Sequence, residues 1–120
     1  MGMKVHHIGM KVKSLAVSKE FYQTYFGFQE EMKVTWDSED ILFLKKGNCR
    51  LELIEETGEK DGLGRTFLHL AFEVTSLEEE IGFLEEKGLL PVEGPVVLEN
   101  GWNVAFFFGP DGEMIEMVEG

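Results

Sequence analysis

The sequence repeats itself, and that repeat restricts the fold more than any other feature. Counting from His7, Val12 follows at +5, Ser14-Leu15 at +7 and +8, Phe21 at +14 and Gly27 at +20. Counting from His69, Val74 follows at +5, Ser76-Leu77 at +7 and +8, Phe83 at +14 and Gly88 at +19. The far ends match as well. Phe43 precedes Glu52 by nine residues and Phe107 precedes Glu116 by nine, with Glu55 and Glu119 three residues beyond. The chain reads as a single domain built from two copies of one unit, 4–56 and 66–119, joined by a polar linker over 57–65.

Each copy reads as a strand, a helix and three more strands. Val5–Val12 alternates, then Ser14 offers an N-cap, and Val17, Phe21 and Tyr25 recur at helical spacing, flanked by Tyr22 and Phe26. Gly27 stops that helix. Strands are expected near Gln29–Trp36, Ile41–Lys45 and Arg50–Glu55, with turns at Asp37-Ser38 and Gly47-Asn48. In the second copy Phe67–Val74 is a strand, and Ser76-Leu77-Glu78-Glu79 has the form of a capping box. Leu77, Ile81 and Leu84 make the apolar stripe of its helix. Strands follow near Val92–Leu98, Asn103–Phe108 and Glu113–Val118. A βαβββ unit buries one sheet face under its helix and leaves the other bare. The expected class is therefore α+β: two such modules curling their mixed sheets into a cup, helices outside.

Composition excludes several functions. With 11 basic against 23 acidic residues and a net charge of −12, the chain lacks the basic patch that nucleic acid demands. The excess is uneven, −1 over residues 1–60 and −11 over 61–120, and Glu78-Glu79-Glu80 and Glu85-Glu86 read as a solvated helix face. No apolar run approaches the ~20 residues of a membrane span, and Met1 to Val12 holds no secretory apolar core. The lone Cys49 cannot form an internal disulfide, which points to a reducing cytoplasm.

Strand alternation then sorts the polar residues by face. If Ile8, Met10 and Val12 face the helix, His7, Gly9 and Lys11 face the cup, and His6 points away. Leu68, Leu70, Phe72 and Val74 leave His69, Ala71 and Glu73 in the cup. Leu51 and Leu53 leave Arg50, Glu52 and Ile54 there; Ile115 and Met117 leave Met114, Glu116 and Val118. Taken singly, a His or Glu on a strand is an ordinary wet-face residue. At equivalent positions of two repeats, His7, Glu52, His69 and Glu116 form a ligand set suited to Zn²⁺, Ni²⁺, Co²⁺, Mn²⁺ or Fe²⁺. Four ligands leave two octahedral positions for adjacent substrate oxygens, which is Lewis-acid chemistry. Lys11 and Arg50 are the cations available for an anionic substrate group.

The segments His7-Ile8-Gly9-Met10-Lys11-Val12, Arg50-Leu51-Glu52-Leu53, His69-Leu70-Ala71-Phe72-Glu73-Val74 and Gly109-Pro110-Asp111-Gly112-Glu113-Met114-Ile115-Glu116 resemble the vicinal oxygen chelate superfamily along the whole chain. That superfamily includes glyoxalase I, methylmalonyl-CoA epimerase, fosfomycin-resistance thiol transferases, extradiol dioxygenases and bleomycin-binding proteins. Two His and two Glu is the pattern of bacterial glyoxalase I, whereas the epimerase typically has Gln where Glu52 stands. The resemblance implies a lyase that isomerises the hemithioacetal of methylglyoxal and a thiol through an enediolate, with Glu116 as proton acceptor and Glu52 as its partner. It also implies one divalent metal (Ni²⁺, Co²⁺ or Zn²⁺) per chain, and a homodimer. An epimerase-like enzyme and a non-catalytic small-molecule binder of the same fold are the alternatives. Two positions depart from glyoxalase I: Lys11 stands where an Arg grips a glutathione carboxylate, and Glu56 where Asn is common.

Overall fold

A computed structural model describes residues 6–36, 39–56 and 69–120. Val5, Phe67, Leu68, the Asp37-Ser38 turn and the linker over 57–65 lie outside the described residues. The chain divides into two compact units, residues 1–66 and 67–120. In the first, β1 (Ile8–Val12) leads to α1 (Leu15–Phe26), then β2 (Gln29–Trp36), β3 (Glu39–Lys46) and β4 (Cys49–Glu55). The second repeats the order with β5 (His69–Glu73), α2 (Leu77–Glu86), β6 (Glu93–Val97), β7 (Asn103–Phe108) and β8 (Met114–Glu119). The class is α+β, and both modules are βαβββ.

Each module holds one mixed four-stranded sheet, ordered β1-β4-β3-β2 and β5-β8-β7-β6. The pairs β1–β4 and β5–β8 are parallel, while the others are antiparallel. That order follows from the connection. The helix carries the chain from one edge of the sheet to the other, and the three later strands return by hairpins to pair with the first. A 12-residue helix such as α1 spans about 18 Å, enough to cross three strand spacings of about 5 Å.

Both helices are fixed at their ends by the same devices. Ser14 Oγ accepts the Val17 N–H at 3.1 Å, and Ser76 Oγ accepts the Glu79 N–H at 3.3 Å. A carboxylate from the last strand of each sheet reaches the first helical amide: Glu55 Oε1 accepts Leu15 N–H at 3.0 Å, and Glu119 Oε1 accepts Leu77 N–H at 2.8 Å. Each satisfies an orphan donor and places negative charge at the positive end of a helix. Gly27 closes α1 with φ 74°, a left-handed conformation in which a side chain would be strained.

The core of the first module gathers Met10, Val12, Tyr22, Phe26, Phe28, Leu42, Leu44, Leu51 and Leu53; that of the second gathers Leu70, Leu77, Leu84, Val104, Ala105, Phe107, Ile115 and Met117. One expectation changes. The buried stripe of α1 is Leu15, Ser18, Tyr22 and Phe26, whereas Val17 is 55% exposed and Phe21 and Tyr25 are half-buried. Leu15 lies on the sheet side, and its amide meets Glu55 there. The strand partner of Glu116 is Phe106, whereas Phe43 faces Glu52. The connection from β7 to β8 spans five residues against two between β3 and β4, so equal sequence spacing does not give equal register. Phe107 is fully buried and Phe108 is 49% exposed.

Candidate metal centre

In both modules the first strand lies parallel to the last, so a residue at the start of one stands beside a residue on the other. The alternation expected of these strands holds. Leu51, Leu53, Ile115 and Met117 are buried, Glu52 and Glu116 are half-buried, and His7 and His69 are exposed. His7 Nε2 lies 3.3 Å from Glu52 Oε1, and His69 Nε2 lies 2.7 Å from Glu116 Oε1. Aromatic rings flank both imidazoles, Phe43 at 5.4 Å from His7 and Phe106 at 6.4 Å from His69. Each module thus builds the same His–Glu pair through the same two atoms.

These separations suit a shared metal. Ligands at about 2.1 Å from an ion and at right angles to each other stand about 3.0 Å apart, and the two pairs bracket that value. Imidazole nitrogen with carboxylate oxygen is a borderline-to-hard donor set that fits the divalent first-row ions. Among the described residues no three or more His, Cys, Asp or Glu gather about one point.

A family model described as the Glyoxalase/Bleomycin resistance protein/Dioxygenase superfamily matches residues 4–117. The chain belongs to that superfamily. Among solved structures, a glyoxalase family protein from Enterococcus faecalis is 29% identical, with a TM-score of 0.80 over 97% of each chain. A lactoylglutathione lyase from Agrobacterium tumefaciens shares the fold at 21% identity, with a TM-score of 0.76 over 100% of this chain and 96% of that one. So does a fosfomycin resistance protein from Listeria monocytogenes, complexed with Mn(II) and sulfate, at 19% identity and a TM-score of 0.73 over 100% and 94%. No curated protein matches the sequence. No helix among the described residues is long and apolar enough to cross a membrane.

Around the first His–Glu pair, this superfamily member carries features that alternation alone did not reveal. Lys11, on the exposed face of β1, has no partner among the described residues. Arg50 does not stand free as expected. Glu31 grips it with two parallel bonds, Nε to Oε1 at 2.8 Å and Nη2 to Oε2 at 3.0 Å. That grip draws the Glu31 carboxyl below its ordinary range and raises the guanidinium further. Glu31 reaches Arg50 because the β2–β3 register shifts between Glu30 and Met32, leaving Glu31 as the extra, re-aimed residue. His6 does not point away from the site. It precedes β1, so strand alternation does not govern it, and its Nδ1 lies 2.9 Å from His7 Nδ1. Cys49 is half-buried, and burial pushes its thiol up, which disfavours a thiolate.

Proposed function

We propose that one first module and one second module, contributed by the two chains of a homodimer, make a glyoxalase-type site in which His7, Glu52, His69 and Glu116 hold a single divalent ion, Ni²⁺, Co²⁺ or Zn²⁺ before Mn²⁺ or Fe²⁺. The chain then acts as a lyase on the hemithioacetal of methylglyoxal and a thiol. The observation that carries this reading is the His Nε2 to Glu Oε1 pair built twice, at equivalent strand positions of two modules. Bound there, the ion would supply Lewis acidity to two neighbouring substrate oxygens.

The chain's own residues supply the proton chemistry. Glu116, 13% exposed against 20% for Glu52, is the better shielded carboxylate and takes the proton from the substrate carbon. Glu52 is its pseudo-symmetric partner. Formation of the enediolate adds charge only at the transition state, so stabilisation placed there raises turnover. Lys11, unpartnered among the described residues, is the cation for one anionic group on the substrate. Its single-point charge, unlike a guanidinium fork, suits one carboxylate or phosphate oxygen.

We also read the protein as a cytoplasmic homodimer. The edge strand β6 is exposed along its length, and Val92, Val96, Val97 and Leu98 add an apolar margin of the kind that a second copy covers.

Metal analysis of the purified protein, followed by a thioester-forming assay with methylglyoxal and several thiols, tests the reading. One divalent ion per chain is expected, lost in His7→Ala and in His69→Ala, with turnover lost in Glu116→Gln. Failure of the wild type to take up any of the five ions would overturn it. Metal without thioester formation would move the reading to the epimerase class or to a non-catalytic small-molecule binder.

A further inference from the structure

The first His–Glu pair has an attachment that the second lacks. Glu31 holds Arg50; Arg50 Nη1 lies 3.1 Å from His6 Nε2 and 3.4 Å from the His6 carbonyl oxygen; and His6 Nδ1 lies 2.9 Å from His7 Nδ1. In the second sheet the strand partner of His69 is Met114, which has no charge to pass on.

We propose that Arg50 is a positioning residue that fixes the tautomers of His6 and His7 and thereby opposes metal entry at the first pair. A guanidinium has donors only, so the nitrogen it faces, His6 Nε2, must accept. A neutral His6 then carries its hydrogen on Nδ1 and donates it to His7 Nδ1. His7 is left with its hydrogen on Nε2, directed at Glu52 Oε1 at 3.3 Å. That is the atom a metal needs bare. For His7 Nε2 to ligate, both rings must exchange tautomers, one hydrogen each before and after: His7 to Nδ1–H, His6 to Nε2–H. The His6 hydrogen then meets the Arg50 donors, and the Arg50–His6 contact breaks. Arg50 can release His6 without being freed, because Glu31 still holds it by two bonds.

The chain has three histidines, so their ring nitrogens are resolvable by ¹⁵N NMR on metal-free protein at pH 8. His6 is expected as Nδ1–H and His7 as Nε2–H in the wild type. Arg50→Met, which copies Met114, should return His6 to the Nε2–H form while His69 is unchanged. Finding His6 as Nε2–H in the wild type would overturn the proposal. Titration with Zn²⁺ is the second readout. Arg50→Met and His6→Phe should each bind about tenfold more tightly than wild type, at the lower end of what outer-shell partners are worth. His6→Phe leaves the Arg50–Glu31 pair in place, so it answers the objection that Arg50→Met perturbs the sheet. Unchanged or weaker binding in both would also overturn the proposal. The metal readout rests on the function proposed above, whereas the tautomer readout does not. A wild type that binds no Zn²⁺ would sink the metal reading, and the NMR result would still decide this one.

Discussion

Gly9 on β1 and Glu52 on β4 are strand partners, and a Cβ on Gly9 would stand 2.7 Å from Glu52 Oε1. The missing side chain lets the carboxylate lie over β1 beside His7. Its counterpart Ala71, opposite Glu116, has a Cβ and still permits a 2.7 Å pair with His69. Gly9→Ala should therefore keep the fold, since the new methyl meets the mobile end of a side chain and no backbone. A stability change below about 1 kcal/mol is expected in thermal melts. Calorimetric Zn²⁺ binding should weaken by about tenfold as the Glu52 carboxylate is pushed off its place. Equal affinity in the variant would show that Gly9 does not position Glu52.

Removing the strand-to-helix carboxylates should cost stability in both modules. Glu55→Ala and Glu119→Ala each orphan a helical amide and remove charge from a helix start. A loss of about 1–2 kcal/mol is expected, read as a fall of several degrees in Tm. Glu55→Gln, whose amide oxygen still accepts, should recover most of it. A full loss in the Gln variant would assign the effect to charge and not to the hydrogen bond.

The Glu31–Arg50 pair predicts a pH dependence with a definite sign. Hydrogen bonding to Arg50 lowers the Glu31 carboxyl below its ordinary 4.5, so its contribution to stability is present above that value. It is lost as pH falls through the lowered value. Glu31→Gln should melt below wild type at pH 7, and the gap should close in the acid range below 4.5. Added salt should narrow the gap at pH 7, because the pair is partly open to solvent. A gap that persisted once the Glu31 carboxyl is protonated would mean that shape, not charge, holds the contact.

Much of this was legible in the chain because the repeat supplied an internal check on every element. Ser14 and Ser76 announce the two helices, and alternation about Leu51, Leu53, Ile115 and Met117 sets the faces of Glu52 and Glu116. What escaped depends on geometry that spacing does not encode. The rotation of α1 was hidden because Val17-Phe21-Tyr25 and Leu15-Ser18-Tyr22 have the same helical period; burial of Leu15, Tyr22 and Phe26 against the sheet decides between them. The pairing of Phe106 with Glu116 is not readable from spacing, because the β7–β8 connection is longer than the β3–β4 one. His6 lies outside a strand, where alternation has no force, and Glu31 reaches Arg50 only through a bulge. Residue spacing carries no mark of that bulge, and the second sheet has an irregularity of its own between Glu93 and Val96.

The last prediction concerns how half-sites combine. Each module supplies one His and one Glu, so a complete four-ligand centre needs one first module and one second module. We expect them to come from different chains of a homodimer. His7→Ala and His69→Ala proteins, each inactive alone, are mixed in equal amounts and allowed to exchange subunits. If the centres form across chains, every heterodimer carries one doubly altered site and one untouched site. Half of the dimers are heterodimers after random exchange, so about a quarter of wild-type activity should return. Metal content should recover in step, which gives a readout that does not depend on the substrate. If each centre forms within a chain, every site keeps one substitution whatever the mixture, and neither signal returns. Subunit exchange is verified independently with two differently tagged proteins; exchange without recovery would rule out the cross-chain centre.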